Sequence, residues 1–138
     1  VLNHLKHSTW KTSVVVLSLW LIFVALPHTL EDFMLGEPAK NGIPAPVLAG
    51  VIAGLFALQG LALFFLGSDQ RRGYYIHMGI GLFWPLAAGS AQLPVILTFQ
   101  PYRFGFISLH YVFGIMILGI LLFLASIQAV RTAPAAEK

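Results

Sequence analysis

Apolar residues run almost unbroken through four stretches of this chain, from about Ser13 to Leu35, Pro46 to Leu66, Tyr74 to about Phe99, and Phe104 to Val130. Each is long enough, at about 1.5 Å per residue, to cross a hydrocarbon layer of roughly 30 Å as a helix. Between them lie short polar breaks, of which the turn-rich "GEPAKNGIPAP" is the longest. Short breaks make consecutive helices antiparallel neighbours, so the pattern predicts an all-α, up-down-up-down four-helix membrane bundle forming a single domain over 1–138. The first run follows "HLKHSTWK" but has no clear small-x-small cleavage site, and is read as a retained helix.

Composition agrees with that pattern. Of 138 residues, 58% are hydrophobic and only 9% charged, a balance that leaves too little polar surface to keep a soluble domain of this length wet. The net charge of +3 might suggest nucleic acid in a soluble protein. Here the basic residues cap the apolar runs and serve topology instead. Lys6, Lys11, Arg71, Arg72, Arg131 and Lys138 fall on one side, whereas Lys40 and Arg103 share the other with Glu31, Asp32 and Glu37. The positive-inside rule then predicts a multi-pass protein of the cell inner or plasma membrane, with both termini cytoplasmic and no nucleic-acid partner. Cysteine is absent, so disulfides, thiolate metal sites and covalent haem attachment are excluded.

Polar side chains at membrane depth are costly and mark candidate sites. His28 lies roughly 22 Å along the first run from its cytoplasmic boundary, with Glu31 and Asp32 one turn further on the same helical face. These three are exposed if Pro27 ends the helix and buried if the helix continues. His110 lies roughly 9 Å into the fourth run from the opposite boundary, at a similar depth, and Gln92 late in the third run reaches the same level. A second polar level, nearer the cytoplasm, contains His77, Gln59 and either His7 or His4. Gly50 and Gly54 have the spacing of a close helix contact, within the bundle or with another subunit.

The segments "HMGIG" and "HYVFG" pair His77 with Gly81 and His110 with Gly114, a glycine one turn from each histidine. In these two motifs the chain resembles small four-helix b-type cytochrome membrane subunits. That resemblance implies haem b, with quinone nearby, held by His28, His110 and His77 against Gly81, Gly114 and Gln92, in an electron-transfer or redox subunit. Because the third and fourth helices are antiparallel, His77 and His110 cannot share one haem, and His28 with His110 is the expected pair.

Two other readings come from the same residues. A histidine beside two carboxylates on one face supports proton transfer, with Glu31 and Asp32 as catalytic groups. The segment "PHTLEDF" is similar to the histidine and acid pairs of the sterol isomerase and sigma-2 receptor superfamily, which implies a lipid or sterol ligand facing them. The third reading is an accessory subunit without chemistry, its partners the lipid bilayer and either other membrane subunits or further copies of itself. A metal site on His28 and His110 with the two acids is chemically possible, although H-x-x-x-H and E-x-x-H spacings are lacking.

Overall fold

The computed structural model describes residues 2–99 and 101–133, with side chains from His7 onward. It contains α1 (Leu2–Met34), α2 (Glu37–Lys40), α3 (Ala45–Gly67), α4 (Arg72–Ile96) and α5 (Phe106–Thr132). The four long helices have the length and apolar character to cross a membrane, the first over His7–Met34. They pack as a bundle in which α5 lies against α1 and α4, and α3 completes the ring by touching α4 and α1. His4, one of the two N-terminal histidines expected near His77, has its side chain outside the described residues.

Helix α1 begins at Leu2, well before the first apolar run, and passes through Pro27 without a break. Proline removes one backbone donor and normally kinks or ends a helix. Inside a membrane bundle the freed carbonyl costs less, because neighbouring groups take up the slack. The chain then turns at Gly36, whose φ of +69° lies in the left-handed region open to glycine, and leads into α2.

Which face of each helix is buried follows from a repeat of three and four residues. On α1 the inward positions are Val14, Ser18, Leu21, Ala25 and His28; on α5 they are Ser108, Val112, Ile115, Gly119 and Leu122. Large apolar side chains such as Phe23, Phe64 and Phe106 point outward, 65% exposed or more. Helices that are apolar on both faces belong between protein and lipid.

Two glycine contacts set the helix spacing. A methyl group added to Gly81 would lie 2.7 Å from the Phe123 amide nitrogen, and one added to Gly119 would run into the ring of Pro85. Helices α4 and α5 therefore touch backbone to backbone. At the end nearest the termini, Gly73 of α4 leaves similar room for the carbonyl of Ala62 and the side chain of Leu66 on α3. Gly50 and Gly54 have no such neighbour within 4 Å, so this chain's own packing does not use the spacing noted in the sequence. Helix α3 buries Gln59, Ala62 and Leu66 only, all in its second half. Its first half stands off from α4, and a cavity fills the gap.

Candidate functional site

At the end of the bundle far from the termini, the continuation of α1 through Pro27 puts His28, Glu31 and Asp32 on one buried face. The His28 ring lies between the two acids, with Nδ1 3.8 Å from Oε2 of Glu31 and Nε2 3.8 Å from Oδ2 of Asp32. Both separations exceed a hydrogen bond, so the imidazole is near each carboxylate without being bonded to it. Nδ1 has no hydrogen-bond partner among the described residues, although only 5% of the side chain is exposed.

The acids meet a cation from the α4–α5 loop. Nη1 of Arg103 lies 2.6 Å from Oδ1 of Asp32 and 3.3 Å from Oε2 of Glu31, and Nη2 donates to Oε1 of Gln92 at 3.1 Å. Arg103 adopts a φ of +43°, an uncommon conformation for a side chain larger than glycine, and that turn directs the guanidinium inward. Tyr102 donates its hydroxyl to the same Gln92 oxygen at 2.6 Å. On the far side Ser108 of α5 donates to Oε1 of Glu31 at 2.5 Å, while its oxygen accepts the Phe104 amide at 3.1 Å. Glu31 is thereby tied to α5 and the loop, and Asp32 is held by its ion pair with Arg103.

These contacts shape the protonation of the loop groups. Burial pushes the Tyr102 hydroxyl up to about 12, against the opposing pull of Arg103. Burial works against the Arg103 charge, but the carboxylate of Asp32 beside it holds the guanidinium above its ordinary range. Arg103 stays a cation and Tyr102 a neutral donor at any physiological pH.

The polar group closes one end of a cavity of about 550 Å³, within the usual size of small-molecule sites. Leu48, Ile52 and Leu55 of α3 face Phe83, Trp84 and Ala88 of α4 across it, and His28, Asp32, Tyr102 and Arg103 form its polar end. Nε1 of Trp84 is also buried without a hydrogen-bond partner among the described residues.

The expected partners are not all brought together. Gln92 joins His28, Glu31 and Asp32, but His110 does not. Its ring lies on an exposed face of α5, 6.0 Å from the ring of Phe106. Ser108 points inward, and two residues further along a helix is about 200° around the axis, so His110 turns away from His28. The room that Gly114 leaves is taken by Val24, 3.0 Å from where its methyl would be, and the room at Gly81 by the backbone of α5. Neither glycine therefore opens onto free space beside its histidine as the helices are packed. Among the described residues no three His, Asp or Glu side chains are placed to hold a metal ion. The guanidinium of Arg103 already occupies the position between the two acids.

The second polar level forms a separate network. Nδ1 of His77 is 2.7 Å from the carbonyl of Gly73, which can only accept, so Nδ1 carries the proton. Nε2 then accepts from Ser18 Oγ at 2.9 Å, and Gln59 donates to that oxygen at 2.9 Å and to the Ser18 carbonyl at 3.0 Å. His7 stands apart from it, 3.4 Å from the Tyr74 hydroxyl. His77 joins α1, α3 and α4 through bonds that are all used internally.

Arg103, Tyr102 and Ser108 are the site residues that sequence reasoning missed. Arg103 had a signal: it lies on the side where the positive-inside rule needs no cation, next to two acids. Comparison with known protein families, with curated proteins and with solved structures finds no match for this chain.

Proposed function

We propose that this chain is a multi-pass membrane protein that binds a lipid-like or sterol-like amphiphile in the cavity between α3 and α4, with His28 as a proton-exchanging group at its polar end. The observation that carries this reading is the joining, in one space, of apolar walls from two helices to a buried imidazole with two carboxylates beside it. The apolar walls suit a hydrocarbon body, and the polar end suits a single polar head. An imidazole can accept a proton on one ring nitrogen and donate from the other, so His28, at the polar end of the cavity, suits acid–base exchange with a bound head group. The cavity end carries Lys40 and Arg103 and the other end most of the basic residues, a bias that supports a cavity on the non-cytoplasmic side.

The test is photolabelling in nanodiscs with a photoactivatable sterol and a photoactivatable fatty alcohol. Saturable labelling of α3 or α4 peptides lining the cavity is expected, and Ala91→Phe, which fills the cavity from an exposed position, abolishes it while the helical signal is kept. Labelling that neither saturates nor responds to Ala91→Phe overturns the reading.

A further inference from the structure

The outward faces of the four long helices carry almost no polar groups. Leaving aside the ends of the apolar runs, two polar side chains point outward among the described residues, Ser90 on α4 and His110 on α5. Ser90 is satisfied within its own helix, donating its hydroxyl to the Ala87 carbonyl at 3.2 Å. His110 has no hydrogen-bond partner among the described residues, only the ring of Phe106 at 6.0 Å. It lies roughly 9 Å inside the fourth run, farther than its short side chain spans toward the head groups. An imidazole bare in hydrocarbon forfeits its hydrogen bonds, and ionisable side chains at membrane depth almost always face protein or a water-filled space.

The face around His110 has the form of a helix contact. Phe106, His110, Phe113, Ile117, Ile120 and Leu124 are all exposed and follow one another at alternating intervals of four and three residues. That is the spacing of a seam between two helices crossing at a shallow angle, the usual geometry in membrane bundles. A single polar residue in such a seam fixes the register and the number of helices, because a shifted pairing leaves it unmatched. The opposite seam of α5, through Ser108, Val112 and Ile115, is buried in this chain's own bundle. An exposed apolar stripe alone suits lipid equally well, as on α1 with Phe23, Leu26 and Leu30. His110 is what separates α5 from it.

We infer that two copies of this chain pair through the outward seam of α5, with His110 of one copy hydrogen-bonded to His110 of the other. Copies inserted in one orientation are related by a two-fold axis along the membrane normal, so residues near the axis meet their equivalents at the same depth. A neutral imidazole carries one N–H and one bare nitrogen, so one ring donates to the other and each gains a partner. A different protein would have to offer a polar group at that depth, whereas a second copy supplies it by symmetry. No residue of α5 lines the cavity between α3 and α4, so pairing leaves that site open and does not depend on it.

The chain has no cysteine, so Ile117→Cys and Phe23→Cys each introduce a single thiol, one on the α5 seam and one on the outward face of α1. In membranes oxidised with copper phenanthroline, Ile117→Cys is expected to form a disulfide-linked dimer, because equivalent residues at a two-fold seam come within bonding reach. Phe23→Cys should stay monomeric. Donor- and acceptor-labelled copies in lipid vesicles then report pairing by energy transfer as added lipid dilutes the protein. His110→Leu should need about tenfold more protein per lipid for half pairing, since lipid tails compete with leucine on equal terms. His110→Asn keeps a donor and an acceptor and should stay close to the parent. Equal cross-linking of the two cysteine variants, energy transfer no greater than random crowding gives, or unchanged pairing in His110→Leu overturns the inference. Two differently tagged copies expressed together should retrieve one another, and retrieval of another membrane protein in place of the second copy overturns it as well. The cysteine comparison retains His110, so it decides the matter even if the His110 variants fail to fold.

Discussion

Arg103 reaches from the α4–α5 loop to within 2.6 Å of Asp32 on α1, so the one buried guanidinium of this end is shared with a helix more than seventy residues earlier in the chain. Removing one partner of such a pair leaves an uncompensated charge. Arg103→Met is expected to destabilise the bundle by about 3–5 kcal/mol, because Glu31 and Asp32 then face each other without a cation. Thermal unfolding in detergent checks this, and adding Asp32→Asn to Arg103→Met should recover part of the loss.

The Gly81 and Gly119 contact predicts a contrast between glycines. Gly81→Ala forces its methyl against the α5 backbone and should cost about 1–3 kcal/mol, as overpacking does. Gly54→Ala meets nothing within 4 Å and should be neutral or stabilise by up to about 1 kcal/mol through helix propensity. Equal melting temperatures for the two variants would contradict the packing described.

Tyr102 provides a pH dependence. Its hydroxyl is raised in the fold from an ordinary 10.0 to about 12, so the folded state holds the proton that an unfolded chain loses first. The stabilisation is fully present below pH 10 and is lost as the pH climbs toward about 12. Stability measured across that window should fall less steeply in Tyr102→Phe, and an ultraviolet titration should show a late phenolate missing from that variant.

The His77 network predicts a structural effect without a binding effect. His77→Phe strands the Ser18 hydroxyl and should cost about 1–3 kcal/mol. Amphiphile binding at the distant cavity should remain. Nitrogen NMR of His77 should report a protonated Nδ1 and a bare Nε2.

Much of the architecture was legible because lipid imposes one simple rule, that a spanning helix must be apolar over its whole length. Four such runs leave little freedom in the fold. The site was legible only in part. His28, Glu31, Asp32 and Gln92 could be placed together by counting depth, since rise per residue is fixed. Facing could not be read for His110, because α5 is apolar all round and its sequence marks no inward stripe. The fate of Pro27 was equally hidden, since whether a helix survives a proline depends on neighbours that the sequence does not locate. Arg103 was missed because its reach depends on a left-handed backbone turn that its sequence, "PYRFG", does not announce.

Helix α3 is held by Gln59, Ala62 and Leu66 in one half and lines a cavity with Leu48, Ile52 and Leu55 in the other. Helix contacts and cavity lining are thus largely divided along a single helix. Substitutions at Leu48 or Ile52 would change the shape of the cavity while leaving the Gln59, Ala62 and Leu66 contacts in place, whereas Leu55 also packs against the core and ties the two halves together.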